Sequence, residues 1–321
     1  MRIIVLLFVA LCTSAQVEAA YLFKNGRLVN EQDVATFPVE RHFEMGLDAL
    51  KKKDWDKAQR QFHIVIISFE NSSLALEAQY FLGVALYEKG DLDIANETFS
   101  TYLKKINTPD HLEDVQRYKL SIAQRLAAGY KRHMFGSESL PRWMSGEDEA
   151  LEIFDEVSSS LPNHELAAVA LTEKASLLRQ REEFPSAIDT YQAVIRRFPQ
   201  SPYALKAFQG IAECYTEEIK LEPQNVDAIA LAEINVKECK LHFPQATELR
   251  GVEDKLKEMQ ETHANALFET GQLYERMSEL KAAALYYHAV IIQYPSSNPT
   301  AACKERLKVL TPQLKELKLQ G

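Results

Sequence analysis

Glycine and proline are scarce, 11 and 12 in 321 residues, and alternating apolar–polar runs are nearly absent. A chain so poor in turn formers and strand patterning excludes a sandwich or barrel and leaves helix as its main structure. The histidines, at 42, 63, 111, 133, 164, 242, 263 and 288, are never closer than 21 residues, so no helical pair of them can grip zinc. A Gly-rich phosphate loop and a G-x-S-x-G elbow are both missing. A basic excess is missing too: 37 Lys and Arg face 46 Asp and Glu, for a net charge of -9. That balance argues against a nucleic-acid binder, whose partner's phosphates demand a basic face. Acidic residues do cluster, as at Glu147-Asp148-Glu149, but a carboxylate run at a helix start complements the dipole and stays solvated. The expectation is a protein that is not an enzyme and holds no cofactor or metal.

Long apolar runs are also absent after the first residues, so nothing there can span a bilayer, which takes ~20 apolar residues. Met1-Arg2, the run Ile3 to Leu11 and the small-x-small ending Val17-Glu18-Ala19 predict an exported chain with a signal peptide over residues 1–19. Two fates fit it: cleavage after Ala19, or lipidation at Cys12. The mature chain then keeps Cys214, Cys239 and Cys303, with no C-x-x-C among them. If Cys214 and Cys239 lie on antiparallel helices turning near Glu222, they sit at unequal heights, farther apart than the ~7 Å a disulfide tolerates. Free, buried thiols are predicted.

What is present is a repeat. Gly46, Ala58 and Phe62 recur as Gly83, Ala95 and Phe99, as Ala175, Ala187 and Tyr191, and as Gly271, Ala283 and Tyr287. Antiparallel helices approach closely only where small residues face each other, and an aromatic one turn along fills the gap beside them. Between repeats the chain reads "RRFPQSPYALKAF": Pro199 closes one helix, and Ser201-Pro202 opens the next as N-cap and first-turn proline. "QYPSSNPTAACKERL" is the same joint, leading into a final helix from about Pro299 to Leu319. Ahead of the repeats, "YLFKNGRLV" carries Asn25-Gly26 between apolar residues, a hairpin signal. It fits a free arm, a piece docked on the first repeat, or a strand offered to a partner.

These positions resemble the tetratricopeptide repeat, a helix-turn-helix unit of about 34 residues. The resemblance implies an all-α tetratricopeptide-repeat superhelix, an α-solenoid, of about six helical pairs with a C-terminal capping helix. The third unit is stretched, with Ala150 and Phe154 in its second helix, and a fifth has lost the pattern in its second helix. The expected organisation is an arm over 20–37, amino-terminal units over 38–133, a loop insertion over 134–146, carboxy-terminal units over 147–297 and the cap over 298–321. In such stacks the first helix of each unit lines a concave groove. That places Phe43 and Leu47 in the groove from the first unit, and Tyr80, Val84 and Tyr87 from the second, as candidate peptide contacts. Packing between repeats is the competing role for the aromatic ones.

The joint Phe198-Pro199-Gln200-Ser201-Pro202-Tyr203-Ala204 further resembles the outer-membrane assembly factor BamD family and its periplasmic relatives. Gly46 to Phe62 is similar to that family's first repeat and Phe268 to Pro295 to its last. The resemblance implies a periplasmic scaffold at the outer membrane that helps insert β-barrel proteins. Its partners would be unfolded outer-membrane proteins and a POTRA-containing barrel-assembly subunit. Two other functions remain open: a periplasmic scaffold coordinating envelope constriction with peptidoglycan synthesis, and a passive spacer. Finally, "GYKRHMFGSESLPRWMSG" interrupts the third unit and gathers basic, aromatic and Met residues in an otherwise acidic chain. Arg142 and Trp143 are its candidate partner contacts; a satellite core under the loop is the alternative.

Overall fold

In the computed structural model, residues 21–24, 27–30, 34–138 and 140–319 are described. The signal-peptide segment 1–19, Cys12 and the Asn25-Gly26 turn lie outside them. Among the described residues are thirteen α-helices, and the fold is the expected all-α solenoid of helical repeats. The chain forms two compact units, Met1–Gly146 and Glu147–Gly321.

The first unit holds a hairpin of β1 (Tyr21–Lys24) and β2 (Arg27–Asn30), paired antiparallel with Tyr21 opposite Asn30. Helices α1 (Val39–Lys51), α2 (Trp55–Ser68), α3 (Ser73–Lys89), α4 (Leu92–Lys105) and α5 (Leu112–Ala127) follow, packed in sequence order. The insertion is not irregular. Arg132–His133 (β3) and Arg142–Met144 (β4) pair antiparallel around a short 3-10 turn at Met134–Gly136.

The second unit comprises α6 (Glu147–Ser160), α7 (Glu165–Gln180), α8 (Phe184–Arg197), α9 (Pro202–Leu221), α10 (Val226–His242), α11 (Leu249–Arg276), α12 (Leu280–Gln293) and α13 (Pro299–Leu319). The stretched third repeat is thus divided: α5 closes one unit, while α6, with Ala150 and Phe154 fully buried, opens the other by packing on α7.

The repeat register has the geometry its spacing implies. A Cβ built on Gly83 would lie 2.5 Å from the Phe99 ring; on Gly46, 2.6 Å from Phe62; on Gly271, 2.6 Å from Tyr287. Each glycine lets an aromatic of the paired helix lie flat on backbone. Ala58, Ala95, Ala187 and Ala283, one turn before those rings, are wholly buried. Gly210 adds a contact of the same kind: its Cβ would meet Tyr191 of α8 at 2.3 Å, across the joint between two repeats.

The joints follow from their sequence. Helix α8 ends at Arg197, and Ser201 caps α9 by accepting the Ala204 amide at 3.2 Å while donating to the Phe198 carbonyl at 2.8 Å. Ser297 repeats the second bond, donating to the Tyr294 carbonyl at 2.9 Å. Seven residues after each repeat's small residue the chain turns left-handed, at Lys53, Gly90, Glu182 and Ser278. Of these four positions only the second repeat's, Gly90, is a glycine, so the other three turns carry the steric cost an L-residue pays there.

The final helix is pinned by charge as well as by its apolar face, which buries Cys303 and Leu310. Arg306 forms an ion pair with Glu275 of α11, and the Tyr287 hydroxyl donates to the same carboxylate at 2.8 Å. The Arg306 hydrogen bond holds Glu275 below its ordinary 4.5, against the opposing effect of burial and with help from Tyr287. A carboxylate depressed on folding contributes its full stability above the ordinary value and loses it as the pH falls through the folded one. Wild type should therefore lose urea resistance below about pH 4.5 more steeply than Glu275→Gln. Parallel pH profiles of the two urea midpoints would refute this link.

Candidate partner-binding surface

The five groove candidates do not form one open strip. Phe43 of α1 is half-buried, edge-on to Phe62 and to Phe81, each at 5.9 Å between ring centroids. Tyr80 is only 8 % exposed and stacks on His111 at 4.0 Å, 12° from parallel. Phe81, Phe99 and Tyr102 surround the rest of its ring. Burial, followed by the nearby Tyr118 and Asp114, pushes the Tyr80 hydroxyl up to about 12. Tyr80 is therefore corrected from a groove contact to an internal packing residue. Tyr87 is half-buried, its hydroxyl 2.7 Å from Ser121 Oγ and its ring edge-on to Tyr118 at 5.0 Å. Leu47 and Val84 are half-buried. The aromatic residues of the first unit form a lattice between successive helices, the packing role open from the sequence.

The insertion hairpin is where polar chemistry concentrates. Asp91 and Asp93 sit at the start of α4, and their side chains are 2 % and 8 % exposed. Desolvating two carboxylates is costly unless each is paired. The hairpin supplies the partners. The His133 amide donates to Asp93 Oδ2 at 3.0 Å, and His133 Nδ1 lies 2.8 Å from Oδ1. Arg142 donates from Nε to His133 Nε2 at 3.1 Å, from Nη1 to the Tyr130 hydroxyl at 3.0 Å, and from Nη2 to Asp91. The fork of one guanidinium thus joins three elements.

Lys89 completes the mount. Its Nζ lies 2.6 Å from Glu138 of the hairpin, 2.9 Å from Asp56 and 3.4 Å from Asp91. Burial opposes its charge, but hydrogen bonds to Glu138 and Asp56 outweigh that and raise it above its ordinary value. Glu138 moves the opposite way: burial would raise it, and the bonds from Lys89 and Gln59 bring it below its ordinary value.

The mount separates the two loop candidates. Arg142 is corrected from a partner contact to a structural clamp, since its donors are taken by Asp91, His133 and Tyr130. Trp143, the next residue, points the other way and is 74 % exposed. Strand alternation places neighbours on opposite faces, so fixing Arg142 inward fixes Trp143 outward. Exposed Met144 and Leu140 accompany it. A satellite core is thereby excluded for Trp143.

Nothing in the sequence marked Asp91. Its counterpart Asp54, eight residues after Gly46, is an ordinary N-cap accepting the Lys57 amide at 3.2 Å. Asp91, eight after Gly83, makes no cap bond and is free to take Arg142. Elsewhere the three thiols are free and buried as predicted; burial raises Cys214 to about 12 and Cys239 and Cys303 to about 11. Among the described residues no group of His, Cys, Asp and Glu is arranged to hold a metal, and no helix is long and apolar enough to cross a membrane.

Family models described as tetratricopeptide repeat match residues 43–110, 170–201 and 265–297. Over those residues the chain thus carries tetratricopeptide repeats. No curated protein matches it. Among solved structures it is similar to a tetratricopeptide repeat protein from Parabacteroides merdae, with 16 % identity, 85 % of this chain and 98 % of that one covered, and a TM-score of 0.37. It is also similar to the MamA protein, at 16 % identity over 65 % of this chain and 96 % of that one, TM-score 0.37. A third is the TPR2AB domain of yeast Sti1 in complex with pHSP90, at 11 % identity over 85 % and 98 %, TM-score 0.29.

Proposed function

We propose that the chain is a non-enzymatic, exported scaffold of the periplasm. It is peripheral to the outer membrane and assists insertion of β-barrel proteins by holding a POTRA-containing subunit and unfolded barrel substrates. The observation that carries the binding role is Trp143: a largely exposed indole on a hairpin whose His133, Arg142 and Glu138 are bonded to the helices beneath. Large rigid aromatics presented this way dominate interface energetics at low entropy cost. The half-buried Leu47, Val84 and Tyr87, with Phe43 behind them, offer a shallower surface on the first helices of the amino-terminal repeats. The barrel-assembly reading rests on the Phe198–Ala204 joint and the first and last repeats, which resemble that family. Export rests on the segment before Ala20, with processing after Ala19 or lipidation at Cys12.

A photo-crosslinking amino acid at position 143, used in native membranes, tests this reading. Adducts to a POTRA-containing subunit or to unfolded barrels are expected, and Trp143→Ala should weaken co-purification of that partner at least tenfold with folding unchanged. Adducts to peptidoglycan-synthesis or constriction proteins would instead favour the envelope scaffold. No adducts and no partner would leave a spacer.

A further inference from the structure

The second unit contains a cleft that the groove reading does not use. It lies between α8 and α10 over α9, with a volume of about 300 Å³. Its origin is the fifth repeat's departure from the pattern. Helix α9 runs 20 residues, so α10 starts later and contributes no aromatic to fill the space over α9. Ile195, Leu231 and Ile234 form apolar walls, and Leu231 and Ile234 are 46 % and 53 % exposed. The latter two are a pair of large aliphatic groups one turn apart on α10, each about half exposed.

Three polar features give the cleft a direction. Arg196 stands on the α8 side and Glu238 on the α10 side, both exposed and both without an ion-pair partner among the described residues. Tyr215, 6 % exposed, lies in the floor and brings its hydroxyl to the lining. A cleft with aliphatic walls, Gln192 and Asn235 beside them, and one cation and one anion at its sides is complementary to a dipolar, amphipathic surface.

We propose that this cleft docks one amphipathic α-helix of a partner protein. Two aliphatic anchors would enter the trough, an acidic residue would face Arg196, and a basic residue would face Glu238. A helix fits better than a strand because the walls are helices whose backbone groups are already bonded, leaving no edge to extend. Anchors at i and i+4, with charges one turn beyond each, lie on one helix face. Size agrees: a cavity of roughly 150 Å³ holds one benzene-sized group, so this one holds about two such groups. The site is independent of Trp143 and of the amino-terminal repeats, and its failure would leave the reading above untouched.

The probe is a fluorescein-labelled, alanine-based helical peptide with Leu at i and i+4, Glu one turn before and Lys one turn after. A second peptide has Glu and Lys exchanged. Anisotropy should show saturable binding of at least one of them to the full chain, with a preference between the two. Ile234→Glu should weaken it at least tenfold, and its exposed position leaves the melting curve in place. The double variant R196E/E238R should invert the preference between peptides. No binding of either peptide, binding indifferent to Ile234→Glu, or an unchanged preference in the double variant would each overturn the proposal. A dimer in sedimentation that Ile234→Glu dissolves would also overturn it, by making a second copy of the chain the occupant.

Discussion

Replacing Phe99 by Ala should lower stability by about 3–5 kcal/mol. The ring is wholly buried and lies on the backbone of α3 at Gly83, stacked against Tyr118 at 5.3 Å. Its removal leaves a cavity between three helices that are already fixed by their neighbours. Gly83→Ala attacks the same contact from the other side. A helix-interior alanine gains up to about 1 kcal/mol over glycine. Here its methyl would sit 2.5 Å from a ring that cannot retreat, and overpacking costs about 1–3 kcal/mol, so a net loss is expected. The two changes should not add. With Phe99 already truncated, the new methyl finds room, and the double variant should be more stable than the sum of the singles predicts by at least about 1 kcal/mol. Chemical denaturation of the four proteins measures the cycle. Simple additivity would mean that Gly83 and Phe99 do not meet, and would remove the physical basis of the repeat register.

That register was legible because it is local and repeated. A small residue, an alanine twelve residues on and an aromatic four beyond it recur in four places, and the same helix–turn–helix explains each. The joint at Pro199 to Pro202 was legible for a related reason, since proline geometry and serine capping need no information from elsewhere in the chain. Residues whose role depends on distant partners were not legible. Tyr80 has the spacing of a groove residue, but His111, thirty-one positions away, closes over its face. Arg142 and Trp143 look alike in sequence as interface residues, and only strand alternation in an unforeseen hairpin sends one inward and one outward. The hairpin itself was hidden because its stability comes from Lys89 at the end of α3 and Asp91 and Asp93 at the start of α4, not from strand-forming residues of its own.

The second large effect is expected at Arg142. Alanine there removes the guanidinium that neutralises Asp91, whose side chain is 2 % exposed, and leaves His133 Nε2 and the Tyr130 hydroxyl without their donor. Breaking a buried pair from one side costs about 3–5 kcal/mol, because the remaining charge stays desolvated. Lys89, 3.4 Å from Asp91, offsets part of that, so a loss of about 2–3 kcal/mol is expected. Lysine is no substitute, because one ammonium cannot present three donors in a plane to three acceptors on different elements. Trp143→Ala, one residue away, removes only an exposed side chain and should change stability by less than about 0.5 kcal/mol. The pair gives a sharp contrast, read by circular dichroism melts of the two variants beside wild type. Asp91→Asn combined with Arg142→Ala should recover much of the loss, since the carboxylate that needed the arginine is then neutral. If Arg142→Ala melts like wild type, the hairpin is not held by this clamp, and the rigid presentation of Trp143 loses its support.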